Sequence, residues 1–208
     1  MTAGLLRAAV AAALLLLLGA CGSVQAPPER FFRLALPAPA GGELPKMGVL
    51  RVLDLQLGNS LSGDALLVAD GAYRLQPRPL DHWIAPLDRL VTDALVLGLA
   101  RTRAFTLVQG AGDAGPADVE LGGRVLDFQE VRCQDGATAC VALEVWGRGA
   151  DRLLFRDEFR AAVPLHGTDP EVAVAGLSLA LAQVLDQLIG RLRAEGVGAR
   201  SVDATPPK

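Results

Sequence analysis

Residues 119–148 have the sequence VELGGRVLDFQEVRCQDGATACVALEVWGR, and this stretch decides the fold class. Apolar and polar residues alternate on both sides of Asp135-Gly136, as in two antiparallel strands joined by a tight turn. We therefore predict strands over 119–132 and 141–148, with a bulge at Gly122-Gly123. The stretch predicts one long hairpin of an antiparallel sheet.

Shorter strands are predicted on either side of this hairpin. Asp70-Gly71 is a strong hairpin dipeptide, and the other segments show strand-like composition or alternation. The predicted strands cover 31–36, 49–57, 65–69, 72–75, 105–109 and 153–163.

A first helix is predicted within 81–103, where apolar residues recur at helical spacing. Asp81 is the expected cap, and Pro86 is tolerated only in the first turn. Trp83 would then lie in that turn, either as a core residue or as a contact for a partner or for lipid. Arg101 suits the negative end of the helix dipole.

A second helix is predicted after residue 167. Its cap is either Thr168, in a capping box with Glu171, or Asp169, with Pro170 at the first helical position. Gly196 should end it. The core-facing stripe should contain Leu177, Leu181, Val184, Leu185, Leu188 and Leu192. Together the elements predict a single α+β domain over 31–196, with two main amphipathic helices packed on a mostly antiparallel (mixed) sheet.

Cys133 and Cys140 bracket the predicted turn of the long hairpin. Two cysteines near a hairpin end can meet the distance that a disulfide requires, and an oxidising compartment would preserve the bond. We therefore expect a structural disulfide. Two free thiols are the alternative; metal binding is disfavoured because no other Cys or His has zinc-site spacing.

The N-terminus resembles a bacterial lipoprotein leader. A single Arg7 precedes an apolar run, 8–18, that is too short to span a bilayer. Leu18-Gly19-Ala20-Cys21 looks like a lipobox, which implies cleavage after residue 20 and acyl chains, palmitate among them, on Cys21. The alternatives are an ordinary cleaved signal or a retained membrane helix. Residues 21–30 would be a lipidated tether, and Gly22 instead of Asp favours the outer membrane.

Composition excludes some functions. The net charge is −3, aromatic residues make up 4% and no basic run occurs, so nothing favours nucleic acid. We expect no cofactor and no metal. The polar residues 197–208 should be a disordered tail.

Candidate catalytic groups are few. Ser60 misses the G-x-S-x-G pattern by one position, and His166 lies at a predicted helix start. Asp127 and Glu130 should point to opposite faces of one strand because their spacing is odd. Asp157 lies in the apolar phase of its strand, as an edge residue or an interface group.

The order of features resembles the ABC-type transport auxiliary lipoprotein family, of which paraquat-inducible protein C is the best-known type. That family has Tyr-Tyr-x-Leu after the tether and Trp-Ala-x-Pro-Leu at the start of the first long helix. Phe31-Phe32-Arg33-Leu34 and Trp83-Ile84-Ala85-Pro86-Leu87 stand in these places, with Phe for Tyr and an inserted Ile. The resemblance implies family-motif residues, with a possible role in partner contact, at Phe31, Phe32, Leu34, Trp83, Pro86 and Leu87.

The resemblance also implies a function. Such lipoproteins serve, without catalysis, an MCE-domain protein, a permease and an ATPase that move lipids between the two membranes. The chain would be anchored in the outer membrane, facing the periplasm, and rings of subunits are possible. The alternatives are an envelope scaffold or a lipoprotein that activates a cell-wall synthase, and a periplasmic hydrolase using Ser60 or His166.

Overall fold

The computed structural model describes residues 27–38, 46–134 and 136–196. Its strands are β1 Arg30–Phe32, β2 Met47–Val52, β3 Gln56–Leu57, β4 Ala65–Asp70, β5 Arg74–Trp83, β6 Phe105–Gln109, β7 Val119–Cys133, β8 Gly136–Arg148 and β9 Leu153–Leu165. Its helices are α1 Leu87–Arg101 and α2 Pro170–Ala194. The predicted leader, Cys21 and the tail 197–208 lie outside the described residues, as does Asp135.

The long strand β7 organises the sheet. On one side it pairs antiparallel with β8, which in turn pairs antiparallel with β9. On the other side three short strands, β2, β3 and β4, follow one another along β7, all parallel to it. β6 extends the sheet beyond β2, and β5 and then β1 extend it beyond β4. The predicted α+β fold with a mixed sheet is confirmed, and its longest pairings are antiparallel.

One face of the sheet is covered by the helices, and the core lies between them. All six residues of the predicted α2 stripe are buried. Glycines bring the layers close: a Cβ on Gly98 of α1 would lie 2.8 Å from Leu185 Cδ1, and one on Gly176 would lie 2.3 Å from Leu165 Cδ2. The helical layer therefore packs at side-chain distance on itself and on the sheet.

Helix α2 is long and apolar enough to span a membrane, but the larger part of its apolar stretch is buried in the core. It starts with Asp169 as N-cap and Pro170 at the first position, the second of the two predicted arrangements. Gly196, with φ 68°, follows its end as predicted. We interpret α2 as the core helix of the domain.

The predicted start of α1 is wrong. Residues 81–83 continue β5, and α1 begins at Leu87 after Pro86, whose ψ of 135° is extended. The reason is a distant partner: β1 pairs with 81–83 and holds them as a strand. Helical spacing along the sequence carries no information about that pairing.

Three strand details also differ from prediction. The bulge of β7 lies between Val125 and Asp127, not at Gly122-Gly123. These glycines are required by packing instead, since a Cβ on Gly122 would lie 2.2 Å from the Trp146 ring and one on Gly123 would lie 2.1 Å from the Glu144 carbonyl oxygen. The predicted strand 49–57 is broken into β2 and β3, and β1 is shorter than predicted.

The expected disulfide is corrected by the structure, in which Cys133 and Cys140 are free thiols. Cys133 pairs with Gly136 in the ladder, whereas Cys140 pairs with Gln129. The two cysteines are therefore offset by four residues, or about 13 Å along the strands. A disulfide needs Cα atoms within about 7 Å, so this register does not allow the bond.

Candidate partner-contact site

The structure brings the two distant family motifs side by side. β1 and β5 pair in parallel, with Phe31 opposite His82 and Phe32 opposite Trp83. The Ile84 N–H donates to the Phe32 carbonyl oxygen at 2.8 Å. We call this the motif junction; it contains the family-motif residues Phe31, Phe32, Leu34, Trp83, Pro86 and Leu87, together with Ile84.

Part of the motif junction is core. Trp83 and Leu87 are buried, and the Trp83 ring meets Phe128 edge to face at 5.7 Å between centroids. Phe32 and Leu34 are half-buried and pack on the same core. Of the two roles left open for Trp83, the structure therefore supports the core role, and contact with a partner is left to its neighbours.

The other part faces solvent. Phe31 is 55% exposed and Ile84 is 61% exposed, and Pro86, two positions after Ile84, is exposed as well. The Phe31 ring lies 5.7 Å from the His82 ring, and His82 Nδ1 lies 3.3 Å from an Asp64 carboxylate oxygen. Large apolar side chains held on a paired edge strand are suited to contact with a protein or lipid surface.

A chain of charges fixes the motif junction to the sheet. Its members alternate in sign: Arg30, Asp81, Arg78, Glu130 and Arg132. Arg30 donates to Asp81 at 2.7 Å, and Arg78 binds both Asp81 and Glu130. The Glu130 side chain is only 2% exposed. Buried carboxylates require such partners, and these tie β1 to β5 and β5 to β7.

A shallow apolar groove adjoins the motif junction. It has a volume of about 390 Å³ and lies between 32–37 and the first half of α2. The Ala35 N–H donates to Ser178 Oγ at 3.2 Å, and this hydroxyl donates to the Val174 carbonyl at 2.9 Å. The segment after β1 is thus held against α2.

The uncovered face of the sheet carries charged side chains in ion pairs. Glu120, at the start of β7, accepts from Arg148 at 2.6 Å and from Arg51 at 3.3 Å. The hydrogen bond from Arg148 is the main reason that the pKa of Glu120 lies below its usual range, while partial burial opposes this. On the same face, burial raises the pKa of the Cys140 thiol.

The weaker catalytic candidates are not brought together. Ser60 follows β3 and His166 follows β9, and these strands lie on opposite sides of β7. Asp127 pairs with Arg160 on the exposed face, while Glu130 is buried, as their odd spacing predicted. Asp157 binds Arg191 of α2 at 2.6 Å. Within the described residues, no group of three potential ligands could hold a metal ion.

Sequence reasoning missed Ile84 and the charge chain. Ile84 was treated as an insertion in a helical motif, but it lies just beyond the end of β5. The sequence pattern predicts Asp81 as a helix cap, and it sets Glu130 beside Asp127 and not beside Arg78. The charge chain joins three strands, and only the alternation of Arg78 and Asp81 within one segment could have suggested it.

Comparison with known proteins identifies the family. A family model described as the ABC-type transport auxiliary lipoprotein component matches residues 32–189, which include most of the motif junction. No sequence among curated proteins matches the chain.

Solved structures share the fold. Protein XCC0632 from Xanthomonas campestris, of family DUF330, superposes with a TM-score of 0.68 at 20% identity, over 80% of this chain and 96% of that one. The hypothetical protein CT253 from Chlamydia trachomatis gives a TM-score of 0.52 at 11% identity, over 73% of this chain and 98% of that one.

The described residues form a single α+β domain with a mixed sheet. The chain belongs to the ABC-type transport auxiliary lipoprotein component family.

Proposed function

We propose that this chain is the outer-membrane-anchored, non-catalytic subunit of an ABC transporter that moves lipids between the inner and outer membranes. An MCE-domain protein is its direct partner, and the permease and ATPase are indirect ones. Acyl chains on Cys21 anchor it, and the domain faces the periplasm. The family match supports the class of transporter; the lipid cargo and the partner come from the resemblance.

The meeting of the two family motifs in the β1–β5 pair carries the proposal. Their buried members support an exposed pair, Phe31 and Ile84, on a rigid strand edge. The partner contact is assigned to these two side chains and Pro86. Apolar anchors held by a packed support suit an interface, because little side-chain entropy is lost on binding.

The test is a crosslinking pull-down of the lipoprotein from native membranes, with Cys21→Ser as the anchor control. The expected result is recovery of an MCE-domain protein together with a permease and an ATPase. Recovery of cell-wall enzymes would favour the alternative of a synthase-activating lipoprotein or scaffold. The mass of the crosslinked complex measures how many copies assemble and whether they form a ring.

Two matched variants locate the contact. Ile84→Glu places a charge on the proposed surface, and Leu153→Glu places one at a similarly exposed position, 61% against 58%, at the start of β9. We expect Ile84→Glu to reduce MCE recovery about fivefold or more, since losing an interface anchor costs over about 1 kcal/mol. Equal recovery of the MCE-domain protein with both variants would contradict the assignment of the partner contact to this surface.

A further inference from the structure

The β4–β5 hairpin carries an aromatic side chain that contacts nothing. Tyr73 is fully exposed at the turn, and Leu75 beside it is 37% exposed. Arg74 pairs with Asp70 at 3.0 Å, but both side chains are mostly exposed. Such a surface pair is weak, so the guanidinium is available to an anionic group.

The strand pairing places this hairpin tip at a defined end of the sheet. Asp70 pairs with Arg132 near the end of β7, and Cys133 pairs with Gly136 at the neighbouring turn. We call this the hairpin end. It is the end opposite to Val119, where β7 begins; the two ends are roughly 45 Å apart.

The direction of β1 points the tether toward the hairpin end. β1 runs parallel to β5, and β5 starts at the hairpin tip. The chain therefore enters β1, at Arg30, from the side of the hairpin end. Arg30 lies opposite Asp81, close to the level of Ala65, which pairs with His82.

Chain lengths favour the same end. From Ala65 to Asp70 the sheet rises by about 16 Å. Cys21 stands nine positions before Arg30, which allows a reach of at most about 30 Å. The tether can therefore pass the hairpin tip with slack. Arg30 lies near the level of Phe128, which contacts Trp83, and Phe128 is about 30 Å from Val119 along β7. To bring the Val119 end to the membrane, the tether would therefore have to reverse its direction at Arg30 and extend fully.

We propose that the hairpin tip, residues 72–75, rests on the lipid surface that holds the acylated Cys21. The Tyr73 ring lies at headgroup level, where the amphipathic ring of tyrosine is favoured, and Arg74 faces the lipid phosphates. The contact sets the long axis of β7 along the membrane normal, with the Val119 end farthest from the lipid. It rests on the lipidation that the proposed function assumes.

Tryptophan quenching tests the contact. The lipidated protein is reconstituted in phosphatidylethanolamine–phosphatidylglycerol vesicles containing lipids brominated high in the acyl chain. The Tyr73→Trp variant is compared with the matched Leu153→Trp variant, whose site lies near the Val119 end because Leu153 pairs with Arg148, opposite Glu120. The wild type, with Trp83 and Trp146, gives the baseline.

We expect quenching beyond the baseline for Tyr73→Trp only, reaching at least about twice the baseline loss. Equal quenching of both variants overturns the membrane contact but not the anchoring. So does an absence of extra quenching for Tyr73→Trp in vesicle-bound acylated protein, which is also the result expected if a protein partner covers the tip. Mass spectrometry of the N-terminal peptide separates the two failures: Cys21 without acyl chains overturns the anchoring and the contact together.

Discussion

Two parts of the sheet are held together differently. In the long flank, defined as β7, β8 and β9, neighbours in sequence pair antiparallel along nearly their whole lengths. In the short flank, β1, β5 and β4, the β4–β5 hairpin is irregular and β1 joins through a parallel pair of three residues. The short flank carries the motif junction and the buried charges, so its geometry depends on a few specific partners.

Ion pairs show the same contrast. On the long flank, Arg160 binds Asp127 at 2.9 Å on the exposed face. On the short flank, Arg78 of β5 joins Asp81 of the same strand to Glu130 of the adjoining β7, and both carboxylates are almost completely buried. An exposed pair contributes little, whereas breaking a buried one leaves an uncompensated charge. The short flank should therefore be the more sensitive to single substitutions.

The largest expected effect follows from Arg78→Met. The change removes the charge shared by Asp81 and Glu130 and leaves each carboxylate with one half-exposed arginine, Arg30 or Arg132. We expect a loss of about 3 kcal/mol in the free energy of unfolding, the lower end for a broken buried pair. The matched change Arg160→Met on the long flank should cost under about 1 kcal/mol. Urea unfolding of both purified variants measures the difference. Similar small losses would mean that solvent reaches the charge chain.

How much of the molecule could be predicted depends on the same contrast. The long hairpin and α2 follow from local alternation and helical spacing, which act between close neighbours in sequence. The start of α1 and the bulge position could not be found in this way. The start of α1 depends on β1, which pairs with residues 81–83, about 50 positions away along the chain. Glycine is needed at Gly122 because the Trp146 ring packs on it, so the glycine there does not mark the bulge.

The sequence indicated which residues belong to the candidate site, but not that they lie together in the fold. The family resemblance indicated Phe31, Trp83 and their neighbours, whereas their meeting is a parallel pairing that no local pattern reports. Burial also divides the site, since Trp83 is core and Ile84 is exposed. Side-chain exposure at a strand end depends on tertiary packing, so sequence periodicity cannot predict it.

Within the long flank, close backbone packing gives the next largest effect. A Cβ on Gly123 would lie 2.1 Å from the Glu144 carbonyl oxygen, a backbone atom that cannot move without disturbing the β7–β8 ladder. We expect Gly123→Ala to cost about 1–3 kcal/mol. Gly190→Ala is the control, because its Cβ meets nothing within 4 Å in α2, and it should stabilise by up to about 1 kcal/mol. In thermal unfolding, Gly123→Ala should lower the melting temperature and Gly190→Ala should raise it. An unchanged melting temperature for Gly123→Ala would show that β7 and β8 can move apart to admit the methyl group.

A smaller effect is expected where both sides of β7 meet, at Glu120. Its pKa is lowered in the folded protein, first by the Arg148 hydrogen bond. Since the folded pKa lies below the unfolded one, the carboxylate stabilises the fold above the unfolded pKa, and this stabilisation is lost as pH falls through the folded pKa. Glu120→Gln should therefore cost under about 1 kcal/mol at neutral pH, and the difference from wild type should vanish in acid. A difference that persists unchanged at low pH would point to packing and not to charge.

The smallest effect is expected at the tip of the long flank. Because the register keeps Cys133 and Cys140 apart, Cys133→Ser removes only an exposed thiol and should change stability by less than about 0.5 kcal/mol. A disulfide there would instead contribute about 2–3 kcal/mol. Alkylation without reductant gives a second measurement: both thiols should react in the unfolded protein, and in the folded protein Cys140 should react more slowly, since burial raises its pKa. If neither thiol reacts until a reductant is added, the β7–β8 hairpin must adopt another register at its tip. The regularity assigned here to the long flank would then end before its last turn.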